Sequence, residues 1–147
     1  MQHVDAAFGQ IGNDLPDRAV SFAGREWNVD GFDQILATGT CDVFGIDPGR
    51  AEGVTGFVKA VARIESHRRQ ANAHAWSSAI VSAASLAVSF SSLAFKLFEF
   101  KPLANPMQND LVTTPLTHKD GWVYPPSGPG LGIEINEDVV NKYRQKK

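Results

Sequence analysis

Between residues 43 and 100 the hydrophobic pattern changes period repeatedly. Val43 to Ile46 is a short β-branched and aromatic run that stops at an acid, Asp47. A Pro-Gly turn follows. Apolar residues then recur at helical spacing, at Val54, Phe57, Val58, Val61 and Ile64. A second short segment ends in His74. Ser78 to Phe95 is long and uncharged and reads as a helix. Leu97 to Phe100 reads as a strand carrying Glu99. Upstream, Ala19 to Ala23 reads as a strand with Glu26 just beyond it. Asp30 to Thr38 reads as a helix with Phe32, Ile35 and Leu36 inward and Gly39 as its stop. Asp5 to Asp14 is expected to form a short helix, broken at Leu15-Pro16.

Strands alternating with helices imply an α/β fold with a parallel sheet and right-handed crossovers. A strand, helix and loop together take about 25 to 30 residues in such a unit. The spacing 74 − 47 = 27 therefore puts Asp47 and His74 at one height on neighbouring strands. Carboxyl ends of parallel strands are where such folds hold their chemistry. A carboxylate beside an imidazole fixes its tautomer and makes a general acid or base. The competing reading leaves Asp47 as a cap of the following helix and His74 as a satisfied core histidine.

Beyond Lys101 the texture changes. Pro102, Pro106, Pro115, Pro125, Pro126 and Pro129 interrupt any regular pattern, and an irregular tail is expected over 101–147. Within it, Trp122 to Tyr124 reads as a small strand and Glu137 to Tyr143 as a final short helix. The glycines of 128–132 lack a following helix and a lysine, so a phosphate loop is not the reading.

Composition adds limits. The 147 residues, 43% hydrophobic, suffice for one domain's core. A net charge of −2 gives no reason to expect nucleic acid. Cys41 is the only cysteine, which excludes an intrachain disulfide and a cysteine metal cluster. The N-terminus lacks the pattern of a signal peptide, and a cytoplasmic location is expected. Trp76 to Phe95 has the length of a membrane span, but its seven serines suit a helix pressed against a sheet, so no membrane is expected. His3, His67 and His118 read as surface residues, and Arg63, Arg68 and Arg69 as a solvated helix end.

Six stretches lie in a familiar order: A-G-R-E (23–26), D-V-F-G-I-D-P-G-R-A-E-G-V-T (42–55), H-A-W-S-S (74–78), F-E-F (98–100), N-P-M-Q-N-D-L (105–111) and P-S-G-P-G-L-G-I-E (126–134). On these the chain resembles the C-terminal part of the mandelate racemase / muconate lactonizing enzyme group of the enolase superfamily. The resemblance implies the C-terminal half of a TIM-like (β/α) barrel over 1–100, about four βα units, and a tail that packs back toward a capping domain. It implies proton abstraction α to a carboxylate of an acid sugar or related hydroxy acid, with the enediolate stabilised on Mg²⁺. Dehydratase, racemase and cycloisomerase are all open. Glu26 would be a metal ligand, His74 the proton-transfer residue, Asp47 its orienting partner, and Glu99 a hydrogen-bonding group on the substrate's oxyanion side.

The chain departs from this family in matching only the last four strands, so two metal carboxylates and a lysine base have no counterpart. Arg25 and the polar run 68–73 before His74 also depart, the latter threatening the core beneath the histidine. A truncated, non-catalytic fragment that folds by self-association is the alternative. Expected partners are the small-molecule substrate and either a second copy or the missing barrel half, because a half-barrel exposes sheet edges and an apolar face.

Overall fold

The computed structural model describes residues 4–5, 21–23, 28–74, 76–101 and 103–145. Its sheet contains β1 (Val4–Asp5), β2 (Ser21–Ala23), β3 (Val43–Ile46), β4 (Gln70–His74), β5 (Phe95–Glu99), β6 (His118–Lys119) and β7 (Trp122–Val123), in the order β2-β3-β4-β5-β1-β7-β6. Strands β2 to β5 are consecutive and parallel, as the alternating pattern requires. Strand β1 joins parallel to β5, and β7 then runs antiparallel to β1. The helix expected from Asp5 is therefore corrected at its first residue, which is paired in the sheet. The rest of that segment lies outside the described residues.

Helices α1 (Val29–Thr38), α2 (Gly53–Ser66) and α3 (Ala79–Ser89) link the parallel strands and cover one face of the sheet. Each α1 end has a local cause. Asn28 Oδ1 accepts from the Gly31 N–H, and Gly39 closes the last turn at φ 66°. Inside, Phe32 of α1 meets Phe44 of β3 at 6.5 Å between ring centroids, and Phe57 of α2 meets Phe95 of β5 edge-on at 6.0 Å. Ala60, Val61 and Ile64 complete the buried stripe of α2. Val54 and Val58, expected inward, are about half exposed, so the stripe is narrower than the sequence suggests.

Strand β4 alternates cleanly. Ala71 and Ala73 are buried under the helices, while Gln70, Asn72 and His74 face the other way and are half-buried. The polar lead-in to His74 thus does not invade the core, correcting that concern. The open face beside it carries Gly45 of β3 and Leu97 of β5 as register partners of Asn72. Among the described residues this face of β3 to β5 is mixed and small rather than broadly apolar.

Helix α3 ends well before the expected Phe95. Ser89 Oγ bonds back to the Ser85 carbonyl and Ser91 Oγ to the Val88 carbonyl, while Ser92 Oγ accepts from the Ala94 N–H. Hydroxyls that compete for backbone groups stop the helix and release Phe95 into β5. No helix among the described residues is long and apolar enough to cross a membrane.

The tail holds more regular structure than its prolines suggest. A tight Asp120-Gly121 turn, both residues at positive φ, joins β6 to β7. Two short helices follow the same chain, α4 (Pro106–Asn109) and α5 (Glu137–Tyr143). Val123 is fully buried and belongs to the main core.

The start of α2 is tightly folded against its own lead-in. A Cβ on Gly56 would stand 2.0 Å from the Ala51 carbonyl oxygen and 2.7 Å from Glu52 Cβ. Alanine is favoured over glycine by about 1 kcal/mol in a helix interior, yet the backbone here must move to admit it. Gly56→Ala is expected to destabilise the chain by about 1–3 kcal/mol, measured by urea unfolding; a stabilised variant would show that this turn is looser than described.

Candidate active site

Register decides what the strand ends bring together. Val43 pairs with Gln70, Phe44 with Ala71, Gly45 with Asn72 and Ile46 with Ala73. The offset of 27 holds along the whole ladder, so Asp47 and His74 follow their strands side by side. On the next pair, His74 is the register partner of Glu99. Asp47, His74 and Glu99 therefore form one row at the carboxyl ends of three parallel strands. Phe44, Ile46, Ala73 and Phe98 point into the helix-covered core, so alternation turns His74 and Glu99 to the open face, with Asp47 in the turn just beyond β3.

Glu99 reaches that face through an irregularity. Ala71 pairs with Phe95 but Asn72 pairs with Leu97, leaving Lys96 as an extra, exposed residue. A slip of one residue reverses every side chain of a strand. The bulge is what lets both Phe95 and Phe98 enter the core while Glu99 stands beside His74.

The contacts refine the roles expected of these residues. Asp47 Oδ1 accepts from the Gly49 N–H at 2.7 Å, and the Asp47 carbonyl accepts from Arg50 and Ala51. Arg50 Nε lies 4.0 Å from Asp47 Oδ2. The carboxylate thus holds its own turn and does not cap α2, whose N-cap is Glu52. Asp47 and His74 are neighbours, but the structure shows no hydrogen bond between them. The His74 ring instead lies parallel to the Trp76 indole, with centroids 5.6 Å apart and planes 18° apart.

Two contributors escaped the sequence reading. Asn72 Nδ2 donates to Glu99 Oε2 at 3.4 Å, a long bond, and its own Oδ1 is buried without a partner. Its place two residues before His74, on the same face, was the available signal. Lys101 Nζ donates to the Trp76 carbonyl at 3.1 Å, tying the chain after β5 to the chain after β4. Nothing in the spacing marked it.

The remaining candidates fall elsewhere. Glu26 lies outside the described residues. Among the described residues no group of three His, Cys, Asp or Glu side chains could hold a metal ion, so the residues seen here do not make a magnesium site by themselves. Arg69 pairs with Asp42 and reaches the Gly39 carbonyl. It is a strap at the opposite ends of β3 and β4, not the freely solvated group expected. His67 and His118 are exposed, the latter edge-on to Phe100 at 5.1 Å. A cleft of about 550 Å³ opens between 113–117 and 124–134, and none of Asp47, His74 and Glu99 lines it.

The description of the family model that matches residues 17–139 is "Enolase C-terminal domain-like". The chain is 30% identical over 112 residues to D-gluconate dehydratase of Thermoproteus tenax, which covers 76% of this chain and 22% of that protein. It is 29% identical over 130 residues to D-galactarolactone cycloisomerase of Agrobacterium fabrum, covering 82% of this chain and 34% of that one. A crystal structure of a member of the enolase superfamily from Polaromonas sp. JS666 superposes with a TM-score of 0.80 at 26% identity, covering 90% of this chain and 35% of the other. The chain thus spans about a fifth to a third of the length of these relatives.

The bulge offers a test of the row. Lys96→Ala should leave stability within about 0.5 kcal/mol, since the side chain is exposed. Deleting Lys96 should turn the bulge into a regular ladder with Phe95 and Phe98 both still inward, and so cost far less than the about 3–5 kcal/mol of emptying a buried phenylalanine site. Urea unfolding of the two variants checks this; a deletion that costs the full amount would mean that Lys96 is not the extra residue of the ladder.

Proposed function

This chain belongs to the enolase C-terminal domain-like family, in the mandelate racemase and muconate lactonizing enzyme group, and we propose that it forms the C-terminal half of a (β/α) barrel that removes a proton α to a carboxylate. The substrate class is an acid sugar or related hydroxy acid, and the outcome a dehydration, racemisation or cycloisomerisation. The observation that carries this reading is the row Asp47, His74, Glu99 at the carboxyl ends of neighbouring parallel strands. The names of the two relatives, a dehydratase and a cycloisomerase, support the reaction class.

In this proposal an imidazole nitrogen of His74 takes the α-proton, and the electron pair of the broken C–H bond passes into the substrate carboxylate. A proton delivered to the other face of the same carbon by the lysine of the first half gives racemisation; departure of a β-hydroxyl as water, with the proton from the His74 imidazolium, gives dehydration. Asp47 stands beside His74 at the end of the neighbouring strand, with no direct hydrogen bond between them. Glu99, steadied by Asn72, faces the substrate's oxygen atoms. Bound Mg²⁺ would offset the charge that develops on the substrate carboxylate. Glu26 is this chain's proposed carboxylate toward it; the other ligands, and a lysine base, would come from a matching first half, in another chain or outside this sequence.

That half is the proposed partner in preference to a second copy. Strand β2 forms an edge of the sheet, where a further strand pairs readily. The mixed open face gives a second copy little apolar surface to bury.

A lone carboxylate holds Mg²⁺ weakly because this cation wants near-octahedral oxygen ligation. Calorimetry on the isolated chain should show no stoichiometric micromolar Mg²⁺ binding, and finding it would contradict the incomplete site. The function is tested by turnover on an acid-sugar panel. The chain alone should be inactive, since losing the cation's charge stabilisation costs several kcal/mol and so orders of magnitude in rate. Co-expression with a matching first half should restore activity. His74→Asn should abolish it while assembly, read by native mass, persists. Activity surviving that change would refute the assignment of His74.

A further inference from the structure

The imidazole of His74 is oriented by something other than its acidic neighbour. Asp47 spends Oδ1 on the Gly49 N–H, and Oδ2 faces the Arg50 side chain. The aromatic contact of His74 is with Trp76, two residues on, at 5.6 Å and 18°. Trp76 has left β4, so its ring needs an anchor to stay there. Lys101 supplies one by donating to the Trp76 carbonyl from two residues beyond Glu99. Lys101 itself lines a small cavity with Glu99 and Gln108, so the strap starts beside the last member of the row.

We propose that Trp76 and Lys101 are positioning residues that fix the plane of the His74 imidazole. The indole covers one face of the ring, and rotating the imidazole about its χ2 bond would break the parallel stack. The ring edge then has one orientation in which to meet a proton. Lys101 acts one step back, by holding the residue that holds the ring. Lys101 has two further N–H donors, so the strap does not exhaust it. The structural arrangement stands by itself; its catalytic meaning rests on the proposed role of His74.

Two measurements separate these levels. In isotope-labelled isolated chain, the indole should shift the His74 ring protons upfield in the NMR spectrum. Trp76→Leu should abolish that shift, and Trp76→Phe should keep part of it. Lys101→Met should reduce both the shift and the Trp76–His74 cross-peaks, with Lys101→Arg restoring them. Unchanged methyl spectra of the buried core would establish that each variant is folded. His74 ring signals identical in wild type and Trp76→Leu would overturn the proposal. So would full cross-peaks in Lys101→Met. In the chain co-expressed with its first half, Trp76→Leu should lower kcat by up to about a hundredfold, the scale of a misplaced catalytic group, with KM little changed. A raised KM at unchanged kcat would make Trp76 a substrate wall and overturn the positioning role. If the assembled barrel never turns over, the reading of His74 fails, and the NMR result still decides whether Trp76 and Lys101 orient it.

Discussion

Parallel pairing of β3, β4 and β5 is the constraint on which the rest depends. In a parallel sheet the side-chain period of two leaves no freedom once one face is buried. Phe44 and Ile46, Ala71 and Ala73, and Phe95 and Phe98 all enter the helix-covered core. Their burial fixes which residues remain for the other face. His74 and Glu99 share that face because each ends a strand whose inward partners are already placed, and Asp47 stands just beyond the end of β3 in the same row. The extra residue Lys96 keeps the third strand in step. Chemistry at the strand ends is thus a consequence of packing several residues below.

The same constraint explains why β4 is so polar. Its helix side needs only Ala71 and Ala73, small enough for α2 and α3 to lie close. Its open side carries Gln70 and Asn72, with Gly45 across from Asn72. A closed barrel fills its interior with bulky branched side chains; on the described open face of β3 to β5, Val43 and Leu97 are of that kind, while Gly45, Gln70 and Asn72 are not. Asn72 turns that space to use by reaching Glu99, although its buried Oδ1 finds no partner.

Much of this was legible in the residues. Val43 to Ile46, the turn after Asp47 and the spacing of 27 predict β3, β4 and their registration, and Glu137 to Tyr143 predicts α5 as found. The misreadings share one physical origin, competition that a local pattern does not display. The serines that end α3 look from sequence like a continued apolar helix. Val4 and Asp5 join the sheet through pairing with β5 and β7, elements more than ninety residues away. The Asp47 carboxylate is taken by Gly49, a contact within its own turn, while the tie from Lys101 to Trp76 spans 25 residues and leaves no periodic trace. The spacing offered Asp47 and His74 as an acid/base pair, while the roles of Glu26 and Glu99 came from family resemblance.

The central claim, that this face removes a proton α to a carboxylate through His74, is tested most directly by isotope exchange. The chain assembled with its first half is incubated with an acid sugar in D₂O and followed by proton NMR. Loss of the signal from the carbon next to the carboxylate is expected, at or above the rate of product formation. The exchange should vanish in His74→Asn. Product formed with the α-proton retained, or exchange that persists without the imidazole, would contradict the account.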